Sequence, residues 1–270
     1  MSVHHVEHVM GTTISIDLVD SHDRSLIDEV VAWLHEVDDV FSPYKEHSLI
    51  SRIGRGEVAP TDPEVPYDVR EVLQRCGELA EATDGAFDVW SQPAPNGTRF
   101  DPCGYVKGWS VQRAAHLIRS RGVVDFCINA GGDVALGGYD HDGAPWRVGV
   151  RHPFEPQSLA MVLHEVGPVA VATSGTYERG AHIVDPRTGL PSTQLASATV
   201  VGPDLADADA FATTLCVLGV DGLHWLAQQT GYNVVRRGGG PERPVVKGRY
   251  REVAHHNRRD SFADQVFKRS

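Results

Sequence analysis

Hydrophobic and polar residues follow two different periods along the chain. In several segments the apolar residues recur three or four positions apart, which is the pattern of an amphipathic helix. A glycine follows two of these segments, at Gly85 and Gly122, and predicts where those helices end. The predicted helices cover residues 24–41, about 69–80, a segment that begins near Asp101–Gly108 and runs to about Arg121, residues 204–218 and residues 223–229.

Shorter runs that alternate or are wholly apolar predict β-strands. They cover residues 3–19 (interrupted at Met10–Gly11), 123–129, 134–136, 146–150, 158–165, 169–172, 198–201 and 232–235. The turn Asn129–Asp133 predicts a hairpin, but a hairpin does not account for the two polar side chains at the ends of strands expected to be buried. Gly167–Pro168 suggests that 158–165 pairs with 169–172. Because helices alternate with such hairpins, the fold class expected is α+β, with mixed, largely antiparallel sheets and packed helices.

The domain organisation predicted is one domain over residues 1–237, followed by a C-terminal tail over residues 238–270. From Gly238 onward the composition shifts to Gly, Arg, His and Asp. Such a tail is expected to be poorly ordered or to add only an edge element.

Composition and charge exclude several classes of protein. The chain has 270 residues, 41% of them hydrophobic, and a formal net charge of −11. No basic run precedes the tail, so a nucleic-acid partner is not expected. The four cysteines are far apart and form no CxxC, which disfavours a zinc site or a disulfide framework. No signal peptide, lipoprotein cysteine or membrane segment is recognisable, so a cytoplasmic protein is expected.

Common catalytic and phosphate-binding motifs are missing from the sequence. It contains no GxxxxGK[ST], no GxGxxG between a strand and a helix, no GxSxG and no HExxH. A P-loop kinase, a Rossmann dehydrogenase, an α/β-hydrolase and a zincin are therefore poorly supported.

One candidate metal site lies on the alanine-rich helix 204–218. Asp209 and Thr213 are one turn apart and project from the same face. A carboxylate and a hydroxyl so placed suit Mg²⁺ or Ca²⁺, which prefer oxygen ligands. The alternative is an acid-capped helix start, since Asp204 and Asp207 lie nearby and acids there are stabilised by the helix dipole.

Two further segments could hold an anionic ligand. Asp101–Gly108 lies at a helix start, where outward-pointing N–H groups and Lys107 could meet a phosphate; a capped helix with a solvated lysine is the alternative. In residues 171–191, His182 precedes Asp185 by three positions and could act as a base or a hydrogen-bond donor. A structural histidine is the alternative reading of His182.

Seven segments resemble the ApbE family of flavin transferases, in the same order, over about residues 10–235. They are MGTTISIDL, FSPYKEHSLISRI, TDGAFDVW, FDPCGYVKGWSVQRAA, INAGGDV, ATSGTYERGAHIVDPRTGLP and DADAFATTLCVLG. The resemblance implies an Mg²⁺-dependent FAD:protein FMN transferase. Such an enzyme cleaves FAD, releases AMP and joins FMN by a phosphoester to a threonine of an acceptor flavoprotein.

The resemblance also implies roles for particular residues. Asp209, Thr213 and the main-chain oxygen of Gly104 would hold the metal. The resemblance places His182 near the reacting phosphate, and on chemical grounds we expect His182 or Asp185 to assist the acceptor hydroxyl. FAD would lie against nine residues: Met10, Tyr44, Ala86, Phe87, Asp88, Asp101, Lys107, Ser174 and Ile183.

Two other functions remain open at this point. One is an Mg²⁺-dependent FAD pyrophosphatase that gives FMN and AMP, and the other is a non-catalytic FAD-binding protein. A metal at the pyrophosphate favours an enzyme, because a carrier has no need of one.

Overall fold

The computed structural model describes residues 2–94, 97–155, 157–175, 183–238 and 245–247. In these ranges the helices are α1 (Arg24–Phe41), α2 (Leu49–Gly54), α3 (Tyr67–Ala82), α4 (Cys103–Ser120), α5 (Leu205–Leu218) and α6 (Gly222–Leu226). All the predicted helices are present. None of them combines the length and the apolar character that a membrane crossing needs.

The strands in the described part of the chain form one large sheet and three small hairpins. The large sheet has the order β1 (Val3–Val9), β2 (Thr12–Leu18), β5 (Phe126–Ala130), β6 (Asp133–Gly137), β9 (Val169–Gly175), β12 (Leu195–Gly202), β13 (Asn233–Gly238) and β14 (Val245–Lys247). The hairpins pair β3 (Gln92–Ala94) with β4 (Gly97–Arg99), β7 (Trp146–Arg151) with β8 (Leu159–Glu165), and β10 (Val184–Asp185) with β11 (Leu190–Pro191). Every pairing is antiparallel, which confirms the α+β class.

Helices cover one face of the large sheet and the β7–β8 hairpin covers the other. Residues alternate between the two faces along each strand. On β9, for example, Ala170 and Ala172 belong to the main core under the helices, whereas Val171 packs with Met161 and Leu163 of β8 in a smaller core. The functional residues discussed below lie on the helical side.

The predicted pairing of residues 158–165 with 169–172 is wrong. β8 pairs with β7, whereas β9 pairs with β6 and β12 in the large sheet. Gly167–Pro168 therefore connects two sheets. Both strands have mixed apolar patterns, and local sequence does not encode which neighbour an apolar strand joins.

Two other strands differ from their predicted extents. The interruption at Met10–Gly11 is the two-residue turn of the β1–β2 hairpin, with φ of 53° and 66° at the two positions. The strand predicted from residue 123 begins at Phe126, because the N–H groups of Val124 and Asp125 donate to the carboxylate of Asp20 and not to a neighbouring strand.

Residues 238–270, predicted as a tail, lie mostly outside the described residues. Within them, β14 pairs with β13 at the edge of the large sheet.

Candidate functional site

A close contact between α4 and α5 brings Lys107 beside Asp209. It depends on Gly108, where a Cβ atom would lie 2.6 Å from the carbonyl oxygen of Leu205 and 2.9 Å from the Cα atom of Ala206. Both are backbone atoms, so no side-chain rotation could relieve the clash. Glycine at this position therefore allows the two helices to approach closely enough to share a site.

The ammonium group of Lys107 faces two buried carboxyl groups. Its Nζ atom contacts Oδ2 of Asp133 and lies 3.5 Å from Oδ2 of Asp209. Asp133 and Asp209 are only 2% and 4% exposed. Neither Oδ2 atom makes a hydrogen bond of regular geometry with a described group. The side chain of Lys107 keeps 34% of its accessible area, so this ion cluster can be reached from outside.

The electrostatics of the cluster favour an additional cation. Burial, and then repulsion from Asp133, raises the pKa of Asp209 to about 7, although Lys107 opposes the change. Burial alone would lower the pKa of Lys107, but attraction to Asp133 and Asp209 outweighs it and the pKa is raised. One ammonium group does not fully offset two buried carboxylates, so a cation beside Asp209 would stabilise its charged form.

Two hydroxyl groups lie at the same place. Thr213 follows Asp209 by one helical turn, and its Oγ1 atom is 2.9 Å from Oγ of Ser174 on β9. The thiol of Cys216 donates to the carbonyl oxygen of Ser174 at 3.4 Å, which ties the end of β9 to α5. The sheet and the helix therefore each contribute a hydroxyl.

The structure separates the acids at the start of α5 by role. Asp204 is the N-cap and accepts from the N–H groups of Ala206 and Asp207 at 2.8 and 3.2 Å. Asp207 forms a bidentate ion pair with Arg75, with distances of 3.0 Å. The capping interpretation therefore holds for Asp204, and Asp209 is the acid of this helix that lies beside Lys107.

Asp133 is the member of the cluster to which the sequence alone assigned no role. Its Oδ1 atom accepts from the N–H of Thr173 at 3.0 Å. The signal in the sequence was a polar residue at the end of a strand expected to be buried, in Asn129–Asp133. Asn129 carried the same signal but only stabilises the turn, where its Oδ1 accepts from the N–H of Gly132 at 2.9 Å.

The residues present fit a hard divalent cation. Asp209 supplies a buried carboxylate oxygen without a regular hydrogen bond, and Thr213 supplies a hydroxyl. Gly104 is the second residue of α4, and it has a main-chain oxygen and no side chain. Such oxygen donors suit Mg²⁺. Within the described ranges no three His, Cys, Asp or Glu side chains form a metal cluster, and the predicted set has one carboxylate.

The start of α4 is held by Asp101. Its Oδ1 accepts from the N–H of Cys103 at 3.0 Å and its Oδ2 accepts from Arg99 at 2.7 Å. The ring of Phe87 lies 3.6 Å from the position of a Cβ atom on Gly104. A side chain at Gly104 would therefore fill the space beside Phe87.

Three aromatic residues lie near this helix start. Tyr44 is 77% exposed, and the guanidinium of Arg99 lies 5.8 Å from its ring centroid. Trp90 and Phe100 stack with their centroids 4.1 Å apart. Asp88 accepts from the N–H of Trp90 at 2.8 Å and fixes the turn that leads into this group. Flat aromatic surfaces of this kind suit a planar ring system.

Met10 and Ala86 are more closely packed. The hydroxyl of Ser110 donates to the carbonyl oxygen of Lys107 at 2.8 Å and lies 3.7 Å from the sulfur of Met10. The β1–β2 turn therefore contacts α4 one turn beyond Lys107. Ala86 is buried in the main core.

The segment predicted to hold the reacting group is only partly described. His182 lies outside the described residues. Ile183 is buried in the main core, and its carbonyl oxygen accepts from the N–H of Ser192 at 2.9 Å. Asp185 forms a bidentate ion pair with Arg187, at 2.8 and 2.7 Å. This pair lowers the pKa of Asp185.

Not all predicted residues meet at one point. Lys107, Ser174, Asp209 and Thr213 form a single cluster. Among the described residues, the side chain of Asp185 pairs with Arg187 and with no member of that cluster. Asp101 and Phe87 lie at the start of α4, and Arg99 links Tyr44 to Asp101.

Fold and site together define an antiparallel α+β protein in which a lysine, two buried carboxyl groups and two hydroxyls converge beside the start of a helix. The family model described as the ApbE family matches residues 10–96 and 92–235. The chain belongs to the ApbE family.

Known relatives agree with this assignment. The chain is 28% identical over 274 residues to an FAD:protein FMN transferase of Vibrio cholerae, covering 80% of this chain and 81% of the relative. It is 24% identical over 296 residues to an FAD:protein FMN transferase of Haemophilus influenzae, covering 86% of each. It superimposes on the solved flavin transferase ApbE from V. cholerae with a TM-score of 0.77 and 25% identity, over 92% of this chain and 96% of that one.

Proposed function

We propose that this chain is an FAD:protein FMN transferase. It takes FAD, breaks the pyrophosphate bond, releases AMP and joins FMN to a threonine hydroxyl of an acceptor flavoprotein. The observation that carries the proposal is the cluster of Lys107, Asp209, Thr213 and Ser174. It lies in a chain that matches an FAD:protein FMN transferase over 81% of that relative's length.

Asp209, Thr213 and the main-chain oxygen of Gly104 would hold Mg²⁺. When bound there, the metal supplies positive charge to the pyrophosphate oxygens, which phosphoryl transfer requires. Asp209 is suited to this role because its carboxylate is buried and its Oδ2 atom lacks a regular hydrogen bond. Lys107 adds a second positive charge, and the exposed part of its side chain gives it access to a phosphate oxygen.

FAD would lie along the contacts around the start of α4. Tyr44 offers an exposed aromatic face. Phe87, packed beside Gly104, would border the ligand close to the metal. The further residues proposed to contact FAD are Met10, Ala86, Asp88, Asp101, Ser174 and Ile183.

The acceptor threonine must lose a proton as its oxygen attacks phosphorus. The new bond joins threonine oxygen to the phosphorus of FMN, the bridging P–O bond breaks, and AMP carries away the electron pair. His182 or Asp185 would take the proton. The ion pair with Arg187 lowers the pKa of Asp185 and makes its carboxylate a weaker base, which favours His182 for this step.

Three functions are separated by one incubation of the purified chain with FAD and Mg²⁺, with and without an acceptor flavoprotein. AMP that forms only with the acceptor, together with covalent FMN on an acceptor threonine by peptide mass spectrometry, is the result expected. AMP and free FMN without any acceptor would indicate a pyrophosphatase. FAD that binds but stays intact under both conditions would indicate a carrier.

A further inference from the structure

Lys107 lies closer to one of its two neighbouring carboxyl groups than to the other. Its Nζ atom contacts Oδ2 of Asp133, whereas Oδ2 of Asp209 is 3.5 Å away. Both carboxyl groups are almost fully buried, so bulk water screens the charge of neither. The position of this ammonium group therefore decides how much negative charge Asp209 presents.

Asp133 is held in a fixed orientation. It is the first residue of β6 and closes the β5–β6 hairpin opposite Ala130. Its Oδ1 atom accepts from the N–H of Thr173, on the adjacent strand β9, at 3.0 Å. Its Oδ2 atom makes no hydrogen bond of regular geometry with a described group and is in ion-pair contact with Lys107. A residue so anchored can act as a rigid partner for a flexible lysine side chain.

Asp209 is the carboxylate assigned above to Mg²⁺, and two cations compete for it. An ammonium group against Oδ2 of Asp209 would repel a divalent cation at the same oxygen. A second carboxylate that draws the ammonium group away would relieve this competition. Asp133 is placed to do so.

We propose that Asp133 is a positioning residue that holds Lys107 off Asp209, so that Asp209 stays open to Mg²⁺. The identity of the metal rests on the proposed function. With Asp133 present, Lys107 stays beside the metal without taking its ligand. Without the Asp133 carboxylate, Lys107 would pair with Asp209 and exclude the metal.

The test is a double-mutant cycle on metal affinity, measured by calorimetric titration of chelator-treated protein with MgCl₂ in the absence of FAD. The four proteins are wild type, Asp133→Asn, Lys107→Met and the double variant. Asp133→Asn should weaken Mg²⁺ binding about tenfold or more when Lys107 is present, and by less than about threefold in the Lys107→Met background. Lys107→Met alone should tighten binding.

Three results would overturn the inference. An equal loss in both backgrounds would make Asp133 a ligand or a simple source of charge. An unchanged affinity in Asp133→Asn would remove its role, and so would the absence of Mg²⁺ binding by Lys107→Met. Should circular dichroism show that Lys107→Met is unfolded, Lys107→Gln takes its place, because the amide can still donate to the carboxylates.

A charge control and a functional control complete the design. Asp68→Asn removes a half-exposed carboxylate that pairs with Arg113 and should leave Mg²⁺ affinity unchanged. If the four proteins show the predicted coupling but the wild type transfers no FMN, the proposed function is refuted and this inference stands.

Discussion

The side chain of Arg187 lies directly against Gly85: its Cγ atom is 3.4 Å from the position that a Cβ atom of Gly85 would occupy. Gly85 has a φ of 74°, and the turn it forms leads to Phe87, whose ring borders Gly104. The ion pair with Asp185 fixes the guanidinium. A continuous set of contacts thus joins the β10–β11 turn to the start of α4.

Replacing Arg187 with alanine should loosen the turn after α3 and misplace the residues proposed to contact FAD. We expect the KM for FAD to rise about five- to tenfold with a smaller change in kcat, because positioning is lost and the reacting groups remain. Steady-state kinetics of FMN transfer would measure this.

The matched control is Arg55→Ala. Arg55 forms the same bidentate pair with an acid two residues away, Glu57, at 2.6 and 3.0 Å. That pair is exposed, so its loss should leave both stability and KM essentially unchanged. Equal effects of the two variants would mean that Arg187 contributes only a surface ion pair.

Gly108→Ala should separate α4 from α5. The new methyl group would meet backbone atoms of Leu205 and Ala206, so we expect a loss of about 2 kcal/mol or more in the free energy of unfolding, together with weaker Mg²⁺ binding. Chemical denaturation and calorimetry would check both. Gly77→Ala on α3, where a Cβ atom meets nothing within 4 Å, should instead be neutral or stabilising by about 0.5–1 kcal/mol.

Neighbouring threonines on α5 allow the metal assignment to be tested. Thr213→Val removes a proposed ligand and should weaken Mg²⁺ binding about tenfold or more. Thr214→Val removes a hydroxyl that donates to the carbonyl oxygen of Ala210 at 2.8 Å, away from the site, and should cost about 1 kcal/mol of stability without affecting Mg²⁺. Similar Mg²⁺ affinities of the two variants would contradict the assignment of Thr213.

The raised pKa of Asp209 predicts how the stability of the protein depends on pH when a chelator keeps Mg²⁺ away. Its folded-state pKa of about 7 exceeds the ordinary 3.8, so the folded state keeps a proton that the unfolded state releases. Stability conferred by this group is therefore full below about pH 4 and is lost as pH rises to about 7. Asp209→Asn lacks this loss and should be more stable than wild type at pH 8 by about 2 kcal/mol or more.

Thermal unfolding of both proteins from pH 5 to pH 8 would measure the difference. It should widen as pH rises and shrink again when Mg²⁺ is added to the wild type. Parallel curves would show that Asp209 is ionised in the folded state throughout.

Local pattern was sufficient for the helices but not for the strand partners. The spacing of apolar residues in α1 and the stop at Gly85 predict those helices closely, because both depend on contacts within one turn. β8 and β9 were assigned to each other wrongly, since their true partners lie elsewhere in the chain.

The same distinction holds for the candidate site. The sequence identifies one helix face from the spacing of Asp209 and Thr213, and it favours a cap at Asp204, which the structure confirms. Only the fold shows that Asp207 pairs with Arg75. The role of Asp133 was missed because its partner Lys107 comes from another element.

The cluster draws on four separate parts of the chain, since Lys107, Asp133, Ser174 and Asp209 lie on α4, β6, β9 and α5. No single hairpin or helix can form it, and the many distant pairings must be in place first. Metal binding is therefore expected to appear last during refolding and to report a fully assembled protein. By mass action, Mg²⁺ at a hundred times its dissociation constant would add about 2.7 kcal/mol to the stability of the whole sheet and its helices.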